Sequence, residues 1–555
     1  MTGPLNPATS PEKTATMDVR QNRSLASVLA VIGVSIPFLV YFSAPRFADE
    51  MRDPYTMTVR YGLNPIKIVM GNLKDIRPFL ELGNIRPLGR IAYSFEFVYS
   101  KAIADTLGVP LPTIHAVVRT AALWAAVAAV VVLWRAIETS GRHLRPQMTR
   151  SVGLVACAAA VATLATWNYQ PLVFFPTQGL LSVALVCLAS AFTLRFSNRG
   201  GWRLAACCAL LGAVCACFYD LAYVVVIAAP VSIVGLRVLQ KRSGLPRASW
   251  SSCIPLIAGF SAVFLPIRAL IARACADQAC YSGSELAVTG RAVPTLAGRL
   301  LSAVPQSYWS MGWKRPTVAG ALAAIAVGCG VGLAAMWATR QGPEATELGV
   351  ETEHGTEHGD ALGAELVGVD EPSVLPGPGP SIVVTLVMLA SWGAAASMSA
   401  LSVSQQRIGF DPQTPWRDGI FGFLAIATLL WALIEHVSRS GSRQALRAAV
   451  TAVALLAGAQ FTLNTGTIAQ TRRISPNTLY GRIDDLFASP PDENQTCDLA
   501  HDLYDLAQQP GRRYYTTALL ESLKRLKPLE ECPAYRYPLP LEEWHRRQLG
   551  DLDQG

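Results

Sequence analysis

Asp49, Glu50 and Asp53 stand in the segment PRFADEMRDPY, directly after an uncharged stretch from Ser24 to Ala44. About twenty apolar residues suffice to cross a bilayer, so these carboxylates fall at a membrane surface. Acidic groups set against lipid are costly and are kept where they serve a purpose. A carboxylate there can take a proton from a hydroxyl nucleophile, which makes Asp49 and Glu50 candidates for general-base catalysis. The alternative is a helix N-terminus that favours acidic residues through its dipole. Two arginine-bearing segments complement them: GNIRPLGR with Arg86 and Arg90, and SQQRIGFDPQTPWRDG with Arg407, Asp411, Trp416 and Arg417. A guanidinium grips a phosphate through paired N–H groups; lipid headgroups or salt bridges are the competing use. Asp220 in FYDLAY is a second acidic candidate, with turn capping as its other reading. Trp309 and Trp313 in SYWSMGWKRP could wall a sugar or lipid ligand, or simply anchor the membrane interface. Oxygen ligands for a divalent metal are present, but no spacing demands one. No cofactor is required, and a bound metal stays open.

The elements that position these residues follow from composition. Apolar residues make up 51% of the 555, and charged residues only 15%, against about a quarter in soluble domains. The apolar residues fall in blocks of about twenty, the pattern of an all-α, polytopic helical bundle. Spans are expected near 24–44, 115–136, 151–167, 174–194, 203–219, 221–239, 251–271, 317–338, 381–401, 420–437 and 446–464, which makes about eleven. Residues 1–23 form a disordered cytoplasmic N-terminus, 24–464 the membrane domain, and 465–555 a small helical external domain. The acidic, Gly- and Pro-rich stretch 341–380 reads as a disordered cytoplasmic loop. His354 and His358 within it read as part of a solvated repeat.

Charge placement sets the orientation. Arg135, Arg142, Arg145 and Arg150, then Arg195, Arg199 and Arg203, then Arg237, Lys241, Arg242 and Arg247, then Arg439, Arg443 and Arg447 all fall on one side. Short basic loops are cytoplasmic, so the N-terminus is inside and the C-terminus outside. Four of the twelve cysteines fall on the expected outside: Cys275, Cys280, Cys497 and Cys532. Two external disulfides are the reading, with Cys497 joined to Cys532. GCGVG at Gly328–Gly332 has no strand or Lys-Ser/Thr pair beside it, so it reads as a helix-packing stripe. Between Phe47 and Ile114, apolar and charged residues mix at helical spacing. Amphipathic helices lying over the outer mouth of the bundle are expected there.

A first span, an acidic pair and an amphipathic loop carrying an RPLGR stretch together resemble the polytopic glycosyltransferases of the GT-C superfamily. Within it, the likeness is to bacterial membrane glucosyltransferases that modify O-antigen. The acidic pair of that pattern falls on Asp49-Glu50 and its GRP-like motif on Arg86 to Arg90, with the Gly-Arg following the proline rather than preceding it. The resemblance implies a polyprenyl-phosphate sugar donor, a cell-envelope glycan or lipid acceptor, and inverting transfer on the external face of a bacterial plasma membrane. It places Asp49 and Glu50 as catalytic residues and Arg86, Arg90, Arg407 and Arg417 on the donor phosphate. Partners are then the donor, the acceptor and membrane lipids, with no nucleic acid. A transporter or flippase for a lipid-linked glycan, or a non-catalytic membrane scaffold, is the alternative.

Overall fold

The computed structural model describes residues 11–44, 53–54, 57–58, 60–81, 83–140, 143–145, 147–164, 172–173, 175–243, 249–276, 285–302, 304, 317–340, 380–412, 416–474 and 497–502. Among them the chain is helical, and the only β feature is an isolated antiparallel bridge between Leu286 and Ser402. The helices are α1 (Pro11–Phe42), α2 (Pro65–Lys74), α3 (Ile76–Glu81), α4 (Pro87–Leu107), α5 (Leu111–Glu138), α6 (Met148–Val161), α7 (Pro176–Arg199) and α8 (Trp202–Phe218). A short 3-10 turn, Asp220–Val224, leads into α9 (Val225–Ser243). There follow α10 (Ile254–Ala274), α11 (Ala292–Ser302), α12 (Val318–Arg340), α13 (Pro380–Ala400), α14 (Val403–Ile408), α15 (Gly419–Arg439) and α16 (Arg443–Ile474).

Nine helices among the described residues are long and apolar enough to cross a membrane, and α6 and α8 are shorter apolar helices. Of the expected count of about eleven spans, nine are helices of sufficient length among the described residues. At 1.5 Å per residue, the 14 residues of α6 span roughly 21 Å, well short of a hydrocarbon core of about 30 Å. Apolar composition continues past Val161, but the helix does not. Asn464 of α16 holds the broken end: its Nδ2 donates to the Ala162 carbonyl and its Oδ1 accepts from the Leu164 N–H, both at 2.7 Å. Thr163 Oγ1 donates to Gln460 Oε1 at 3.2 Å. Non-helical backbone at membrane depth persists only where protein satisfies it, and the Asn464 side chain does so.

Small residues set the closest helix contacts, as expected where lipid removes the hydrophobic drive for helix association. A Cβ on Gly212 of α8 would overlap the Leu256 carbonyl of α10, and one on Gly259 of α10 would overlap the Ala209 carbonyl of α8. The GCGVG stripe works likewise: Gly328 of α12 lies against the Ala454 carbonyl of α16, as Gly458 does against that of Ala324.

One end of the bundle is bound by ions. Arg150 at the start of α6 donates to Glu138 at the end of α5 at 2.8 and 3.0 Å and to Glu435 near the end of α15 at 2.7 Å. Glu435 also accepts from Arg439 at 3.0 Å and from Ser381 of α13 at 3.2 Å. This is the end that carries the basic connections.

At the opposite end, the expected amphipathic helices are present. Asn64 caps α2, its Oδ1 accepting from the Ile66 and Lys67 N–H groups at 2.9 and 3.2 Å, and Pro65 supplies a preset φ at the first helical position. Ile68 and Asn72 face inward, Asn72 donating to Ser94 Oγ of α4 at 3.0 Å. Ile66, Met70 and Leu73 form an exposed apolar stripe on the other face. The helix α4 ends at Gly108, whose φ of 62° suits a residue without a side chain.

Candidate functional site

The RPLGR motif opens α4, with Arg86 as the cap residue and Pro87 at the first helical position. It docks on Phe218-Tyr219-Asp220, where α8 gives way to the 3-10 turn. The docking is backbone-close: a Cβ on Gly89 would overlap the Phe218 carbonyl oxygen. On its other side the Gly89 carbonyl accepts from Gln178 Nε2 of α7 at 3.0 Å. Arg86 then meets Asp220 through two contacts, Nε to Oδ1 at 3.0 Å and Nη2 to Oδ2. Burial works against the Arg86 cation, but the Asp220 carboxylate more than offsets it, and the guanidinium holds its proton more tightly than usual. The Asp220 side chain remains 49% exposed, so its outer side stays open to a ligand. The guanidinium of Arg86 also lies over the Tyr219 ring, 4.7 Å from its centre.

Arg417 approaches the same ring. Its guanidinium carbon lies 5.6 Å from the Tyr219 centroid, 5.4 Å from that of Phe175 and 5.4 Å from that of Trp416. A cation among aromatic faces is favourable, and the rings aim the group. Phe175 sits in the left-handed region, φ 53° and ψ 42°, which is uncommon and strained for a bulky residue. That conformation turns the chain into Pro176 and α7. The Phe175 ring meets Tyr93 at 5.1 Å, and the Tyr93 hydroxyl donates to Asp53 Oδ2 at 2.9 Å. A continuous ladder thus runs from Asp53 in the first-loop acidic segment, through Tyr93, Phe175, Arg417, Tyr219 and Arg86, to Asp220. Beneath it lies a second buried group on α4 and α5: Arg119 and Glu96 are ion-paired at 3.6 Å, and His115 packs edge-on to Phe97 at 4.9 Å.

The segment that carries Arg417 rests on α11. Arg299 and Asp418 are both fully buried there. Burial pushes the Asp418 carboxyl above the usual carboxylate range, against the opposing pull of the Arg299 guanidinium and of Ser399. Neither Asp418 oxygen makes a hydrogen bond of normal geometry.

The structure therefore brings together five of the residues singled out from sequence: Asp53, Arg86, Asp220, Trp416 and Arg417. Arg90 is a near neighbour on α4, its guanidinium 3.2 Å above the Phe79 ring centre. Arg407 is exposed on α14 and enters none of the contacts described here. Asp49, Glu50, Trp309, Trp313, Cys280 and Cys532 lie outside the described residues. Cys275 and Cys497 are each disulfide-bonded, while the cysteines within the apolar helices are free thiols. No group of three or more metal-ligating side chains occurs among the described residues.

Several residues of the ladder were not legible beforehand. Tyr219 adjoins Asp220, so adjacency was a usable signal. Phe175 and Tyr93 read as ordinary apolar helix residues, and nothing in sequence marks the left-handed turn. No family model matches the chain, and no curated protein matches it.

Proposed function

We propose that this chain is a membrane glycosyltransferase of the GT-C type, moving a sugar from a polyprenyl-phosphate donor to a cell-envelope glycan or lipid acceptor. The observation that supports this reading is the convergence of Arg86 and Arg417 on Tyr219 beside Asp220. It lies at the end of the bundle opposite the basic connections, and it reaches the acidic first loop through Tyr93 and Asp53. In this reading that end faces outward. A carboxylate of Asp49 or Glu50 takes the acceptor hydroxyl proton as its oxygen bonds to the anomeric carbon. The bond from that carbon to the phosphate oxygen breaks with inversion, and polyprenyl phosphate departs with the electron pair. Its charge is met by Arg417, aimed by aromatic rings, with Arg86 behind it. A positioned base supplies roughly 10²–10⁴-fold, and fixed cations around a leaving phosphate supply the electrostatic share.

The test is transfer from a radiolabelled polyprenyl-phosphate sugar in proteoliposomes. Asp49→Asn should lower kcat by at least about a hundredfold, with Glu50→Gln as the parallel variant. Arg417→Ala should mainly raise the donor KM. Full activity in both carboxylate variants would remove the first loop from the chemistry.

A second reading, transport of a lipid-linked glycan, draws on the broken helix α6, since interrupted helices line the sites of many transporters. It predicts that sealed vesicles move labelled lipid from one leaflet to the other with the sugar–phosphate bond intact, and that Asp49→Asn leaves this movement unchanged.

A further inference from the structure

Arg268 lies inside the membrane-crossing stretch of α10, six positions before the helix ends at Ala274. At 1.5 Å per residue that is about 9 Å below the end of the helix. Arg273, exposed in the last turn, is where a cation ordinarily meets lipid headgroups. Among the nine long apolar helices α10 is the least buried, and Leu265 and Leu270, on either side of Arg268, are exposed. Arg268 itself is half-buried, and it makes no hydrogen bond or ion pair among the described residues. An arginine within a membrane span is expensive, and such residues face a partner, a cavity or a ligand path. Its surroundings are fixed by rings. Phe264 precedes it by one turn on the same face of the helix. The Phe264 ring lies 5.0 Å from that of Phe260 and 5.1 Å from that of Tyr223, which also meets Phe260 at 5.6 Å. Tyr223 belongs to the 3-10 turn Asp220–Val224. Side chains three apart eclipse in such a turn, so Tyr223 shares a face with Asp220. The line from Asp220 through Tyr223 and Phe264 thus ends on a free guanidinium at the lipid-facing side of the bundle.

We propose that Arg268 binds the phosphate of a lipid lying beside α10, next to the Phe264 and Tyr223 rings. A guanidinium grips two phosphate oxygens at once. A lipid brings its phosphate to the protein from the side, whereas a soluble phosphate would have to leave water to reach a group below the helix end. The site goes beyond the role given to Arg417 and does not depend on it, since a lipid phosphate sits on Arg268 whether or not a sugar is transferred. The contacts that end on Arg268 begin at Asp220. A polyprenyl phosphate held there therefore stands on the lateral approach to Arg86 and Asp220.

The test uses the full chain in phosphatidylcholine nanodiscs that also carry either polyprenyl phosphate or phosphatidylglycerol. Native mass spectrometry after release counts the lipid that stays on the protein, for the parent and for Arg268→Gln, Arg268→Lys and Arg273→Gln. Arg268→Gln should lower retention at least about tenfold, as expected for the loss of a charge-assisted contact. Arg268→Lys, a point charge in place of a fork, should lower it roughly threefold, and Arg273→Gln should leave it unchanged. Loss confined to polyprenyl phosphate identifies the carrier lipid as the source, and loss confined to phosphatidylglycerol identifies a membrane phospholipid; either supports the site. Equal retention by the parent and Arg268→Gln overturns it. So does an equal loss in Arg273→Gln, which would mark general attraction to headgroups, or displacement of the lipid by inorganic phosphate alone, which would mark a site open to water. Should Arg268→Gln fail to fold, the graded loss in Arg268→Lys decides, and its absence overturns the proposal. If the parent retains polyprenyl phosphate through Arg268 but transfers no sugar, the site stands and the transferase reading falls. If sugar is transferred while Arg268→Gln retains both lipids as the parent does, the transferase reading stands and the site falls.

Discussion

Gly89 is the residue on which the site turns. Its missing side chain lets the first turn of α4 rest against the Phe218 carbonyl, and that contact delivers Arg86 to Asp220. Gly89→Ala should push α4 outward. Overpacking of this kind costs about 1–3 kcal/mol, visible as a lowered unfolding temperature in detergent, and donor affinity should fall further than stability alone explains. A substitution that leaves both unchanged would show that the docking is looser than the geometry states. Asp418 offers a second handle. Its folded pKa is raised by burial, so the folded state holds the proton more tightly than the unfolded chain does. The associated stability is fully present below the ordinary carboxylate range and is lost as pH rises through the raised value. Thermal unfolding followed against pH should therefore show a decline across that interval, and Asp418→Asn, which cannot ionise, should flatten it. At this scale sequence goes about halfway. Arg86, Arg417 and Asp220 stand out because charge near a membrane invites explanation. Phe175 and Tyr93 do not, because their roles arise from a left-handed turn and from neighbours dozens of residues away in sequence.

Among the elements, α6 is the one whose length matters most. Asn464 satisfies both backbone groups exposed by its break. Asn464→Leu would leave a carbonyl and an amide unpaired in an apolar interior, at about 1–3 kcal/mol for each buried group. Asn464→Asp keeps the acceptor but replaces the donor with a carboxylate. Unfolding in detergent should rank the parent above both variants; equal stability of all three would mean that another group satisfies the break. The early end of α6 is invisible in composition, because Ala162 to Trp167 is as apolar as the helix before it. The amphipathic α2 is the opposite case. Its Asn-Pro start and its spacing of Ile66, Met70 and Leu73 are local signals, and local signals are what a sequence displays directly.

At the level of the whole molecule, the long apolar helices were legible because twenty uncharged residues in water have few other uses. The bundle's two ends differ as the charge pattern implies, one laced by Arg150, Glu138 and Glu435 and the other built from rings and arginines. If the basic end is cytoplasmic, a cysteine placed near Gly355 should escape impermeant thiol reagents in intact cells. One placed in the tail beyond Cys532 should react, and the reverse pattern would invert the orientation. For the tail, Cys497 is expected to pair with Cys532, and peptide mapping without reduction should recover the two as one linked species.

Arg150 is the rivet of a pair of pliers. It fastens α5, α6 and α15 at the ionic end, while the jaws across the bilayer meet through stacked rings and the Arg86–Asp220 pair. A rod about 30 Å long that swings by about 2° at the rivet moves roughly 1 Å at its tip, enough to matter to a catalytic geometry. Loosening Arg150 would thus be felt as a change in grip at the far side of the membrane, where no atom of Arg150 reaches.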